Sequence, residues 1–327
     1  MMKVKTLNKK KEFEEWDKLV DSSSQGTIFQ KSYWIKTHSE IIKKTAKIYS
    51  VFDDDRLIGG CNLYLKKTGM KKTASSICIM SPYGGFIFEK MDTKSRRKKE
   101  NYHSKIINLI IDKLKEEKLN FIQIVNSPFF DDVRPFIWNN WKSEVRHTYI
   151  FRINENYEEV FSKGIRREIK NAGKNNIKIS KEFDLNVFNK LFEDTYEKQG
   201  IKKPVSNDFI KKVVGVIKEN NSGEMWIAKT DTGEPVSAEI IIYDEKMPYR
   251  WNAVSNSEYL KTGGISYLLT EIIKSLKDRN YSSFNMMAAN TPNLSSYVAK
   301  FNPVLFPYYR VFRLDMKYRL LNILGIK

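Results

Sequence analysis

Cysteine is almost absent: Cys61 and Cys78 are the only two among 327 residues. Both lie far apart in apolar runs. That excludes a disulfide framework and a cysteine-based zinc site, and it reads as buried, reduced thiols. Histidine is equally scarce. His38, His103 and His147 share no ligand spacing, so neither a metal centre nor a histidine-based catalytic group is expected. No stretch approaches the ~20 apolar residues that cross a bilayer. Residues 1–11 are basic without an apolar segment, which argues against a signal peptide. A cytoplasmic protein is the expectation.

Negative charge is also short, with 39 Asp and Glu against 57 Lys and Arg, a formal charge of +18. The excess says nothing about fold. It favours polyanionic partners such as RNA, phosphorylated precursors or an anionic membrane face, although a lysine-rich solvated surface explains part of it. Against these absences stand 41% hydrophobic residues and six tryptophans, enough to fill the cores of two domains at this length.

Periodicity predicts an alternating α/β chain. Strands are expected over residues 47–52, 57–65, 76–80, 121–125 and 145–153, with helices over 94–118 and 131–141. The order then returns, with strands over 225–229, 235–243, 248–254, 283–287 and 305–312, and helices over 263–279 and 293–301. Asp53 and Asp231 open equivalent hairpin turns, and Gly59-Gly60 takes the place of Ser237-Ala238. An internal duplication follows. Between the copies lie a strongly basic helix, 161–174, a second helix, 185–198, and a loop, 200–204.

Lys261-Thr262-Gly263-Gly264-Ile265-Ser266 stands between a strand and an apolar helix. Glycines there allow a tight turn and free amides, and a helix amino end adds partial positive charge. Lys261, Thr262, Gly263, Gly264 and Ser266 are therefore the candidate cradle for a phosphate, a pyrophosphate or a group near a thioester. The alternative is a turn whose glycines serve steric needs only. The first copy has no such pair at Thr93-Lys94-Ser95-Arg96, which argues for one working site, in the second copy.

Glu239 lies inside an apolar strand, where a cleft would raise its pKa and suit it to take a proton from an amine. Tyr297 and Lys300 follow the strand that carries Asn285, near the expected cleft mouth, where a lysine can stabilise an oxyanion. Arg166 and Arg167, with Lys170 and Lys174, form a cationic helix face for a phosphorylated substrate or an RNA backbone. Tyr83, in the turn Ser81-Pro82-Tyr83-Gly84-Gly85, and Trp34 complete the candidate substrate-binding set with Asn285. Residues 313–327 interleave Leu314, Leu320, Leu321, Ile323 and Leu324 with Arg313, Lys317 and Arg319. That amphipathic tail is expected to pack back on the first domain or to lie on an anionic membrane.

Phe29-Gln30-Lys31-Ser32-Tyr33-Trp34, the Ser81–Gly85 turn, the Arg166–Lys174 basic helix and Phe301-Asn302-Pro303, with the duplication, resemble the FemABX-type peptidyltransferases and related acetyltransferase-fold proteins. The likeness covers almost the whole chain. It implies an α/β (α+β) fold of two tandem GNAT-like domains, mixed sheets flanked by helices, at 1–149 and 150–312, with the reaction cleft in or beside the second. It also implies transfer of an aminoacyl or acyl group to an amine, on a cell-envelope precursor of the peptidoglycan kind that is phosphorylated or lipid-linked. The donor implied is aminoacyl-tRNA or acyl-CoA, with no permanently bound cofactor. A coenzyme A-dependent N-acetyltransferase of a small amine or amino sugar is the alternative, and a non-catalytic binder of anionic polymers a third.

The 261–266 segment looks like a degenerate GNAT pyrophosphate loop. The family's Phe-Lys, two residues, Phe-Gly pattern meets Tyr297-Val298-Ala299-Lys300-Phe301-Asn302 here, with Val298 at the lysine position. No long helical arm is inserted in the second domain.

Overall fold

A computed structural model describes residues 1–197, 200 and 202–315. The first half runs β1 (Met2–Thr6), α1 (Lys10–Ser22), α2 (Ser32–Ile41), β2 (Thr45–Asp53), β3 (Arg56–Thr68), β4 (Lys71–Ser75), β5 (Gly85–Phe88), α3 (Arg96–Glu116), β6 (Phe121–Val125), α4 (Arg134–Trp138) and β7 (Lys142–Arg152). The second runs α5 (Lys163–Lys174), β8 (Lys178–Lys181), α6 (Leu185–Glu197), α7 (Asn207–Glu219), β9 (Gly223–Lys229), β10 (Pro235–Tyr243), β11 (Pro248–Ser255), α8 (Gly264–Asp278), β12 (Ser283–Met287), α9 (Pro292–Val298) and β13 (Val304–Leu314). The chain divides into two units, Met1–Arg146 with the segment from Pro307 onward, and His147–Phe306.

Unit 1 has the sheet order β1-β2-β3-β4-β6-β13, with β5 on β3. Ile106, Ile107, Ile110, Ile111 and Leu114 of α3 recur at three- and four-residue spacing. They form one buried stripe against Cys61, Leu63, Ile122 and Ile124. Ser95 caps α3, its hydroxyl accepting the Lys98 amide at 3.3 Å. Trp16, Leu19 and Val20 of α1 and Ile35 of α2 form a second cluster with Ile48 and Tyr64.

Unit 2 has the order β7-β12-β11-β10-β9-β8. Leu268, Leu269, Ile272, Ile273 and Leu276 of α8 are fully buried with Trp226, Ala228, Ile241, Phe284 and Met286. Each contributes roughly 2 kcal/mol of apolar transfer before ordering costs. Helix α6 packs on β10 and β11, and α7 on β9.

Several expectations change. The strand expected over 76–80 is a turn, and pairing with β3 falls to β4 and β5 on either side. A Cβ on Gly84 would stand 2.2 Å from the Ser76 carbonyl oxygen, so the chain folds back there and cannot extend. The helix expected over 131–141 shortens to α4. The closing strands are exchanged: Phe151 of β7 pairs with Phe284 of β12, and Val311 of β13 with Ile124 of β6. The chain from Pro307 thus completes unit 1, and the division comes at 146/147, where the duplication suggested 149/150. Arg313 and Leu314 end β13, with the Arg313 guanidinium 5.8 Å from the Trp141 ring centre, so they are not part of a separate tail. Residues 316–327 of that tail, Lys198 and part of the 200–204 loop lie outside the described residues.

Candidate active site

The parallel strands β11 and β12 are in register at one pair, Tyr249 with Asn285. Beyond it β12 turns away. Its pairing with β7 slips between Asn285 and Met287, and Met287 and Ala288 both take left-handed backbone, φ 57 and 61. Such a conformation costs a non-glycine residue roughly 1–2 kcal/mol. Asn285 offsets it: its buried carboxamide oxygen accepts the Thr148 hydroxyl at 2.7 Å and the Met287 amide at 3.0 Å. Strand β11 continues to Ser255 with β10 on one side and, among the described residues, no ladder to β12. Ala253 is exposed there although Trp251 and Val254 are buried. Beyond that pair the two strands part and leave a gap beside residues 252–255 of β11, where backbone groups can meet an acyl or peptide group.

Helix α8 follows β11 through the 3-10 turn Ser257–Thr262, which places its amino end at the strand's carboxyl end. Gly263 takes φ 81, and a Cβ there would lie 1.9 Å from the Glu168 carbonyl oxygen of α5. A Cβ on Gly264 would meet Val236 at 2.7 Å. The glycines therefore allow α5 and β10 to approach closely. The Gly264 amide is engaged by the Thr262 hydroxyl at 3.2 Å. Ser266 is fully buried, and its hydroxyl donates to the Glu168 carboxylate at 2.5 Å. Of the expected cradle, Gly263, Gly264 and Ser266 are buried, Thr262 is half-buried, and only Lys261 is exposed. The open cradle is corrected to a packed turn with a carboxylate already at the helix end. A diphosphate does not fit these residues, because it would meet the Glu168 carboxylate and the α5 backbone.

A line of polar groups lies beneath. Glu239 of β10 is 1% exposed and takes both hydrogen bonds of the Arg250 guanidinium from β11, at 2.7 and 2.5 Å. The guanidinium lies 5.8 Å from the centre of the Tyr297 ring. The Tyr297 hydroxyl meets the Ser266 hydroxyl at 3.1 Å. Burial pushes the Tyr297 phenol above its ordinary range, against the opposing effect of Arg250, so it stays a proton donor at neutral pH.

The expected site residues separate accordingly. Glu239, Tyr297 and Ser266 come together. Glu239, with both oxygens held and no open face, positions Arg250 and cannot meet an incoming amine. Lys300 extends an exposed side chain, and its contribution is a carbonyl that accepts the Ser162 amide at 2.9 Å, beside the Ser162 cap of α5. Val298, at the family's lysine position, is fully buried in the α8 cluster. Asn302 takes φ 58, a conformation asparagine tolerates where the family pattern has glycine.

Trp34 and Tyr83 are corrected from groove residues to core. Trp34 donates to the Ser81 hydroxyl at 3.2 Å and stacks on His38, and Tyr83 meets Phe29 and Tyr308 edge to face. Asn285 is fully buried and holds the bend of β12. Arg166 and Arg167 are exposed, Arg166 donating to the Glu159 carbonyl at 3.1 Å.

Arg250 and Glu168 were missed. The signal for Arg250 was present: one cation in an apolar strand opposite a strand with one buried anion. A cavity of about 400 Å³ in unit 1, lined by Leu7, Phe13, Tyr33, Ile35 and Ile48, contains none of these groups. The Asp17 carboxylate in its wall is already bonded to the Ser32 amide and hydroxyl. Among the described residues no cluster could hold a metal ion, and no helix is long and apolar enough to cross a membrane.

Residues 160–293 match the family described as "Acetyltransferase (GNAT) domain". The structure is similar to that of FemX, with a TM-score of 0.75 and 13% identity over 98% of this chain and 99% of that one. It also resembles the C-terminal domain of a putative lysylphosphatidylglycerol synthetase from Agrobacterium fabrum (0.61, 10%, 96% and 95%). A third relative is a tandem GNAT protein from the clavulanic acid biosynthesis pathway (0.56, 8%, 96% and 98%). No curated protein sequence matches. The fold is the tandem GNAT-like fold of FemX.

Proposed function

With a GNAT-type acetyltransferase domain in the second unit and the FemX fold along the whole chain as premise, we propose that the protein is an acyltransferase that joins an acyl or aminoacyl group to an amine at the gap between β11 and β12. The observation that carries this is the single register pair between those strands, with Tyr297 anchored at the end of α8. The donor carbonyl lies in the gap beside residues 252–255 of β11, where backbone amides face the oxygen that becomes negative as the amine attacks. The new C–N bond forms as the donor's C–O or C–S bond breaks. The Tyr297 hydroxyl gives its proton to the departing oxygen or sulfur and regains one from solvent, its surroundings favouring the protonated form. The amine's proton leaves to solvent, because the Glu239 carboxylate is held by Arg250 and that of Glu168 by Ser266. No covalent intermediate is invoked: Cys61 is buried, with its thiol pushed above its usual range by desolvation alone.

The acceptor class is an amine on a phosphorylated or lipid-linked cell-envelope precursor, and the donor class is an aminoacyl ester on RNA. The charge of +18 and the exposed Arg166, Arg167, Lys170 and Lys174 of α5 support both. The GNAT match over 160–293 favours acyl-CoA as the second reading. A transfer assay that offers charged tRNA and acetyl-CoA in parallel to a muramyl-peptide amine separates them. Transfer from tRNA alone supports the first reading and transfer from acetyl-CoA alone the second. Absence of transfer from both, with the protein folded, ends the proposal.

A further inference from the structure

The residues that would receive a donor's diphosphate are engaged by the protein's own groups. Three observations converge on the first turn of α8. The α5 backbone lies so close to Gly263 that no side chain fits between them. The Thr262 hydroxyl takes the Gly264 amide. Ser266, at a position where a smaller residue would leave no hydroxyl, donates to the Glu168 carboxylate. A carboxylate at a helix amino end satisfies the attraction that otherwise draws an external anion there. We infer that Glu168 is the internal anion of this site and a specificity-determining residue, selecting against donors that place a diphosphate on α8 and for donors that carry their phosphates elsewhere.

The charge arrangement of α5 agrees. Glu168 faces α8, whereas Lys163, Arg166, Arg167, Lys170 and Lys174 of the same helix are all exposed. A polyanionic donor thus meets repulsion at the α8 end and attraction on the outer face of α5. Ser266 and Glu168 act as a pair: the serine orients the carboxylate, and the Tyr297 hydroxyl on the same Ser266 oxygen links it to the transfer site. The inference rests on reading the β11–β12 gap as that site.

The test uses inorganic pyrophosphate and coenzyme A as probes, with calorimetry for affinity and amide hydrogen exchange for location. The wild-type protein is expected to show no saturable pyrophosphate or coenzyme A binding that protects residues 263–268. Glu168→Ala and Glu168→Gln, each removing the charge, are expected to bind pyrophosphate at least tenfold more tightly than wild type, with protection of those amides. Ser266→Ala should move in the same direction by less. Glu116→Ala, which removes an exposed charge from α3, serves as the control for net charge and should change nothing. A merely structural role for Glu168 would weaken binding, not strengthen it. Wild-type protein that binds coenzyme A with protection of 263–268, or Glu168 variants that bind pyrophosphate no better than wild type, overturn the inference. Either result leaves transferase activity, read separately with charged tRNA and acetyl-CoA, to stand or fall by itself.

Discussion

The two units repeat one order of elements, yet their central parallel strands behave differently. In unit 1, β4 and β6 stay in register at Thr73–Phe121, Ala74–Ile122 and Ser75–Gln123, and Gly84 bridges to Asn126 beyond. Ser76 closes the seam: its hydroxyl accepts the Val125 amide at 2.8 Å, and the Gly84 amide donates to the Val125 carbonyl at 3.0 Å. In unit 2, β11 and β12 share one pair and part. The neighbouring strand differs as well. Cys61 of β3 is buried in an all-apolar cluster, whereas Glu239 at the equivalent place in β10 forms a buried ion pair. The two units carry similar sheets; a seam left open, with a charged pair behind it, distinguishes the one proposed for chemistry.

The largest expected effect tests that charged pair. Arg250→Ala strands the Glu239 carboxylate and should cost about 3–5 kcal/mol in chemical denaturation. Cys61→Ala, at the matching place in unit 1, should cost about 1 kcal/mol. Equal losses would erase the distinction between the two cores.

Next comes the packed turn. Gly263→Ala meets both a left-handed φ and the α5 carbonyl, so a loss of about 2–4 kcal/mol is expected. Gly233→Ala, at φ 91 with open space around it, should lose only about 1 kcal/mol. A mild Gly263 variant would show that α5 is not pinned on α8.

Acid should act on unit 1 first. Burial lowers both His38 and His103 to about 4 from an ordinary 6.5. Between those values the unfolded chain binds the protons and the folded chain does not. Stability is therefore fully present above pH 6.5 and declines as pH falls towards 4, by up to about 3 kcal/mol for His38. Urea midpoints measured from pH 7 to 4.5, in wild type and His38→Gln, read it directly. An unchanged midpoint in the wild type would contradict the burial of these rings.

The smaller effects concern the open seam. Tyr297→Phe should lower transfer on the order of 10²-fold and change stability by about 1 kcal/mol. Lys300→Ala, with its side chain in solvent, should leave stability within about 0.5 kcal/mol and transfer within twofold. A large Lys300 effect would reverse the roles assigned to these two residues.

What the sequence disclosed follows from local physics. Helix α8 announces itself by its apolar spacing and strand β10 by an apolar run broken only by Ser237 and Glu239, and the repeated order of elements rests on such segments. Glu239, Tyr297 and Ser266 were legible as chemistry-bearing residues in apolar surroundings. Partnership was not, because Arg250 and Glu168 reach them from elements distant in sequence. Trp34 and Tyr83 look like groove residues beside serine and glycine, but aromatic type does not reveal whether a ring faces a groove or fills a core. The Gly263–Gly264 pair was ambiguous for a similar reason: glycine permits a ligand and a neighbouring helix to approach equally well, and only the position of α5 decides. Strands β7 and β13 both alternate, so nothing local states which sheet each one joins.

That exchange has a consequence for biosynthesis. Unit 2 is continuous from His147 to Phe306, but β6 of unit 1 waits for Val311 and its neighbours in β13 before its ladder is complete. A ribosome makes the amino-terminal half first, yet that half finishes last. Until roughly the 314th residue emerges, β6 offers a bare edge, the kind of surface that invites mispairing with other nascent chains.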